Sequence, residues 1–281
     1  MKLIKLIGSN ATMINESQDL CDKYFDKFYD LWLRYREKEC YRELCKYYPS
    51  SFYNISKDIQ VLFSGLNPSF DEREIENKED FIFSNGKPDK CIKFDMNSLE
   101  KYDYFENIRK CCQNPDIKWG FADIFHNRMS SQNEFMLYVK NKVFAEFFTQ
   151  QLVLYLDLIR DISKLLTKNK ILIVFTNKQA FNIFMTVTGN EKNLPKKKDY
   201  KDCLHLCLGD KNKMNLEKNF QINIKSANSG KEINKNLYKA TIENKEINFV
   251  CFYELVYEKK KEIKEMSPEV VNEVKRLVTN G

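Results

Sequence analysis

Apolar side chains fall at helical spacing early in the chain: Leu20, Tyr24, Phe28, Leu31 and Tyr35 recur every three or four residues within 17–48. They predict one long helix or two shorter ones, capped at Asn15 or Ser17 and ended by Pro49. The pattern then changes to short unbroken apolar runs, which suit strands buried on both faces. Such runs predict strands over 59–64, 118–125 and 171–175. An alternating run over 220–225 predicts a fourth strand, and 249–252 a fifth. Helical spacing returns between them, at 101–112, at 134–166 and at 178–187. The second of these carries the strongest pattern, with Phe135, Val139, Val143, Phe147, Leu152, Leu156, Ile159 and Ile162. Residues 71–103 and 190–201 are polar or charged and read as surface excursions.

Strands alternating with helices predict an α/β fold: a three-layer α/β/α sandwich around a mostly parallel sheet of four to five strands. The expected organisation is an N-terminal helical region over 1–56 packed on the core, an α/β domain over 57–257, and a helical tail over 258–281.

Composition narrows the classes. The 281 residues hold 46 Lys plus Arg against 40 Asp plus Glu, a net charge of +6 with both His neutral. That excess permits a polyanionic partner without requiring one. No stretch approaches 18 apolar residues and the first residues do not form a secretion signal, so the expectation is a cytoplasmic protein with no membrane association. Nine Cys with no Cys-x-x-Cys pair suit a reducing compartment. Cys203, His205 and Cys207 would share one face of a strand, but a fourth ligand is not evident, so neither a metal nor an organic cofactor is expected.

Three predicted strands end in polar groups. The first runs into Gly65-Leu66-Asn67-Pro68-Ser69-Phe70, the second into Asp123, and the fourth into Ser226-Ala227-Asn228-Ser229-Gly230. In a parallel sheet all three tips lie along one edge, where α/β proteins bind ligands. Here the chain resembles the uracil-DNA glycosylase superfamily over roughly residues 57–255. Gly65–Ser69 matches that family's first motif in its Asn-containing form, Gly-x-Asn-Pro-small. Asp123 stands at its base-reading position. The 226–230 segment answers loosely to its second motif, without that motif's Pro or His.

The resemblance implies a monofunctional DNA glycosylase, a monomer acting on DNA, which flips a nucleotide out of the stack and hydrolyses its N-glycosidic bond. Asn67 would hold the attacking water, and Asn228 would contribute from the second motif. Gly65, Leu66, Pro68, Ser69 and Phe70 would line the base pocket with Phe125 and His126. Phe81 or Phe83 is a candidate to stack on the base, or else packs in the core. Arg128, Lys225, Ser229, Gly230 and Lys231 would meet the DNA backbone. Uracil-strict members carry Tyr where Ser69 stands, so 5-substituted pyrimidines are expected to enter. Asp123, taken as a carboxylate, only accepts hydrogen bonds, and the cytosine amino group donates. The favoured substrate is therefore a 5-substituted cytosine, such as hydroxymethylated or glucosylated phage cytosine, with uracil otherwise, in repair or anti-phage defence. Asp123 could instead be a helix cap or an ion-pair partner of Arg128, and His126 a local hydrogen-bond partner. The competing class is a nucleic-acid-binding protein that has lost catalysis. An unrelated α/β hydrolase or nucleotide-binding protein is disfavoured by the lack of Gly-x-Ser-x-Gly, Walker and Gly-x-Gly-x-x-Gly motifs.

Overall fold

The computed structural model describes residues 3–47, 49, 52, 54–67, 105, 108–110, 112, 117–129, 131–190, 225–226, 237–251, 272 and 275–276. Among these, α1 spans Leu3–Arg36, β1 Val61–Ser64, β2 Trp119–Phe121, α2 Gln132–Lys140, α3 Ala145–Leu165, β3 Lys170–Phe175 and α4 Lys178–Val187. A two-residue β4 (Lys225–Ser226) and the strands β5 (Leu237–Ile242) and β6 (Lys245–Cys251) complete one sheet. Its order is β2-β1-β3-β6-β5-β4. β1 pairs in parallel with β2 and β3, and β3 with β6, while β5 runs antiparallel to both β6 and β4. Five full strands thus make a mostly parallel sheet, with the short β4 at its far edge.

Strand alternation divides the core into two layers. The register pairs Leu62 with Ile173 and Ser64 with Phe175, and these residues face α3 and α4. The Phe175 ring meets Phe181 and Phe184 of α4 at 5.5 and 5.0 Å. Val61, Phe63, Leu172 and Val174 point the other way and are equally buried. That second face is covered by the helical residues Phe105 and Ile108, with the Phe105 ring 5.1 Å from Phe121. Both faces of the sheet are covered, which is the three-layer α/β/α arrangement.

α1 joins the core through α3. Tyr24, Phe28, Leu31, Trp32 and Tyr35 are buried in the same cluster as Phe147, Leu152 and Ile159. Tyr24 donates its hydroxyl proton to Asp161 at 2.9 Å, and Lys23 pairs with the same carboxylate at 2.9 Å. The helix runs through Asn15 and Ser17 without a break, so neither residue caps it; it ends at Arg36, ahead of a 3-10 turn over Glu39–Tyr41.

The expected helix over 134–166 is interrupted once. Asn141 takes an extended conformation (φ −87°, ψ 121°) and its side chain accepts from the Val143 N–H, which closes α2 and starts a 3-10 turn into α3. β6 takes in most of the expected strand over 249–252, whereas β5 and the tight hairpin that joins the two were not expected from the sequence. Its turn residues Glu243 and Asn244 have φ of 50° and 61°, the left-handed pair that a tight hairpin requires. Asn suits such a position better than Glu does. Of the expected strand over 220–225, only its last residue lies among the described residues, in β4.

Candidate functional site at the carboxyl edge of the sheet

Chain direction reverses at β1. The chain leaving β1 returns as β2 on one side, while the chain leaving β3 passes through α4 towards β6 on the other. Such a divergence opens a crevice at the carboxyl ends of the two strands. Thr176 anchors its floor, donating to the Ser64 carbonyl from its N–H at 2.9 Å and from its hydroxyl at 3.2 Å. Asn177 caps α4 by accepting from the N–H groups of Gln179 and Ala180, and its amide donates to Gln132 at the start of α2 at 3.0 Å.

Beyond the formal strand ends, the tips of β1 and β2 stay paired. The N–H groups of Ala122, Ile124 and Phe125 donate to the carbonyls of Phe63, Gly65 and Leu66 at 2.9, 3.1 and 3.0 Å. This ladder carries Gly65–Asn67 alongside 122–127 and brings Asn67 and Asp123 onto adjacent segments. Asn67 is half-buried, and its Nδ2 donates to the Asn127 carbonyl at 3.4 Å. Asn127 is fixed in turn: its amide donates to the Leu44 carbonyl at 3.0 Å and its Oδ1 accepts from Gln151 Nε2 at 2.7 Å. Gln151 Oε1 then accepts from the His126 N–H at 2.9 Å. A buried amide network from α3 therefore holds the segment against which Asn67 rests.

Asp123 differs from its neighbours. It is 4% exposed, and its carboxyl makes no hydrogen bond or ion pair among the described residues. It caps no helix, since Ser131 caps α2, and it forms no ion pair with Arg128. Burial pushes its pKa up from an ordinary 3.8 to about 8, although the Arg128 charge pulls the other way. The nearby Tyr155 hydroxyl shares a 2.7 Å hydrogen bond with Ser64. Burial and the Asp123 charge both push the Tyr155 pKa upward, with the Ser64 bond opposing them. At neutral pH Asp123 is thus mostly a neutral acid. This corrects the expectation of an accept-only carboxylate: a neutral carboxyl carries one donor and one acceptor, and so complements a cytosine or a uracil edge.

Two expected pocket residues serve the core instead. The His126 ring, 1% exposed, lies 3.9 Å from Phe28 and 4.6 Å from Phe52 between ring centroids. The Phe28 ring of α1 and the Phe52 ring thus bury the imidazole in the core. Phe125 packs against Phe135 and Phe148 at 5.6 and 5.0 Å. Gly65 and Leu66 are buried beneath the β1 tip, and Arg128 is buried in the segment after Asp123. Pro68, Ser69, Phe70, Phe81, Phe83, Asn228, Ser229, Gly230 and Lys231 lie outside the described residues, as do Cys203, His205 and Cys207. For Lys225 the description stops at its strand register, opposite Lys239.

β4 does run parallel to β1, β3 and β6, so residue 227 leaves from the expected edge. It leaves four strand spacings from β1, roughly 19 Å along the ladder. The parallel neighbour of β3 on the side away from β1 is β6, ending at Cys251.

Sequence reasoning passed over Ser64, Asn127, Gln151, Tyr155 and Asn177. A signal for two of them was present: Gln151 and Tyr155 stand four residues apart on the buried face of α3, in line with Phe147. No group of three or more His, Cys, Asp or Glu suited to a metal occurs among the described residues. No helix among them is long and apolar enough to cross a membrane. Compared with known proteins, the chain matches no protein family, no curated protein and no solved structure.

Proposed function

We propose that the protein is a monofunctional DNA glycosylase of the uracil-DNA glycosylase type, excising a flipped 5-substituted pyrimidine by hydrolysis and leaving an abasic site. The observation that carries this reading is the pair of polar groups on the adjacent tips of β1 and β2: a half-buried, anchored Asn67 amide and a buried Asp123 carboxyl that bonds to nothing among the described residues. A buried polar group without a partner is costly in a fold that gains nothing from it, and such groups concentrate at functional sites.

The chemistry follows from the residues. Breaking the glycosidic bond develops positive charge on the deoxyribose and negative charge on the departing base. With its Nδ2 turned to the Asn127 carbonyl, Asn67 directs its amide oxygen to a water beneath the sugar. An amide orients water without deprotonating it, so the reaction leans on an oxocarbenium-like sugar and turns over slowly. Asp123 meets the pairing edge of the base with one donor and one acceptor. By the resemblance, Ser69 stands where uracil-strict members carry Tyr, an exchange that would admit a substituent at the pyrimidine 5-position.

The experiment is incubation of the protein with duplex and single-stranded oligonucleotides carrying uracil, 5-hydroxymethyluracil, 5-methylcytosine, 5-hydroxymethylcytosine or glucosylated cytosine. Free base and alkali-labile sites from at least one substrate are expected. The position of β4 favours a second reading, a nucleic-acid-binding protein without catalysis, because the second-motif segment leaves the sheet far from Asn67. Salt-sensitive DNA binding with no abasic product from any substrate would establish that reading instead.

A further inference from the structure

A carboxylic acid buried at a strand tip, with no hydrogen bond to any of the described residues, holds its proton until something arrives to take it. Moving an isolated carboxylate out of water is costly enough that the group neutralises instead. Among the described residues, few groups face Asp123. Arg128, in its own segment, favours the charged form, and Tyr155 of α3 faces it with a hydroxyl engaged by Ser64 of β1. The β1 tip contributes Gly65, Leu66 and the neutral Asn67. The His126 ring packs between Phe28 and Phe52.

Resting on the glycosylase reading, we infer that Asp123 is the general acid of the reaction, delivering its proton to N3 of a cytosine-type base as the glycosidic bond breaks. Cytosine leaves poorly as an anion, and protonation at N3 converts it into a neutral leaving group. The step balances as follows. The C1′–N1 bond breaks with its electron pair going to the base, while the Asp123 proton moves to N3. The base departs neutral, and Asp123 is left as a carboxylate near the positively charged sugar. The water held by Asn67 adds to C1′ and loses a proton, which restores the Asp123 acid directly or through solvent. The same carboxyl accepts from the cytosine amino group through its carbonyl oxygen, so one side chain reads the edge and activates it. This gives a reason to favour cytosine that does not need an ionised Asp123.

The test is a set of single-turnover rates on oligonucleotides containing 5-methylcytosine or 5-formylcytosine, with wild type and Asp123→Asn. The two bases present the same pairing edge, but the formyl group withdraws electrons and makes its base the easier to expel. For wild type, the rate on 5-methylcytosine should fall about tenfold per pH unit above about pH 8, because the protonated acid is the active form. Asp123→Asn keeps the size and the edge contacts but has no proton to give. It should lose about 10²–10⁴-fold on 5-methylcytosine, and at least about tenfold less than that on 5-formylcytosine. Base release that is flat with pH and lost equally on both substrates would overturn the acid role and leave the glycosylase standing, with Asp123 a base contact only. Release from neither substrate by the wild type also overturns the acid role, and release from none of the wider panel removes the glycosylase reading with it.

Discussion

Replacing Asp123 by Asn should stabilise the protein, and by an amount that grows with pH. The folded state holds the Asp123 proton up to about pH 8, whereas the unfolded chain releases it near 3.8. Between those values the folded form binds one proton more than the unfolded form. Stability therefore falls as pH rises, by about 1.4 kcal/mol per pH unit, and levels off above about pH 8. At pH 7 the slope has acted over about three units, which amounts to about 4 kcal/mol. Local relaxation and water entry reduce such penalties, so about 2–4 kcal/mol is the working range. Asn has nearly the same shape and does not titrate in this range. Any cost of burying its amide is constant with pH, so it shifts the difference curve without tilting it. Urea melts of both proteins at pH 4.5, 5.5, 6.5 and 7.5 give that curve, and titrations elsewhere in the chain cancel in the subtraction. The variant's advantage should widen steadily with pH. A difference that stays flat across the range would mean that Asp123 is not a buried neutral acid, and the general-acid argument would lose its physical basis.

Asn67→Ala should abolish base release while lowering stability by less than about 1 kcal/mol, since the side chain is half-exposed and its hydrogen bond to Asn127 is long; near-normal single-turnover rates would remove it from the mechanism. Ser69→Tyr should rebuild a wall at the 5-position, so excision of bulky 5-substituted pyrimidines falls while unsubstituted ones are spared, and equal loss on all substrates would mark Ser69 as structural. Gln151→Leu strands the His126 N–H and the Asn127 Oδ1 in the interior. It should cost about 1–3 kcal/mol for each stranded group in a urea melt, and a loss below 1 kcal/mol overall would show that this amide network does not hold the β2 tip.

The apolar runs identified β1 and β3 almost to the residue, because a strand buried on both faces has no polar position to blur it. The helix at 178–187 was legible from its apolar spacing, although the Asn177 cap that starts it was passed over. The apolar end of β6 was legible at 249–252, but β5 and the first half of β6 were hidden, since they mix Lys, Glu and Asn with Leu, Ile and Ala, as befits strands near a sheet edge. Asn67 and Asp123 could be placed at strand tips from sequence alone. The protonation of Asp123 could not, because it depends on what surrounds the carboxyl in three dimensions. Nor could the fate of His126: Phe28, about a hundred residues earlier, decides it. Likewise, nothing in the sequence around 220–230 announces that β5 and β6 will be inserted between β3 and β4.

The attachment of α1 to α3 has a consequence for the order in which the molecule can form. The contacts that hold α1 bridge long stretches of chain: Lys23 and Tyr24 meet Asp161 across 138 and 137 residues, and Arg34 meets Gln150 across 116. During synthesis at about 5–20 residues per second, residue 161 follows residue 24 by roughly 7–27 s. Throughout that interval the face carrying Tyr24, Phe28, Leu31, Trp32 and Tyr35 has no α3 to cover it. A lone helix gains little from propensity, and closing so long a loop is slow. α1, made well before α3, is thus among the last elements to be secured, and it is a ring on that helix, Phe28, that packs on His126 beside the β2 tip. Until α3 emerges the ribosome holds a chain with an uncovered aromatic face and an unfinished site, the stage at which a holdase would matter most.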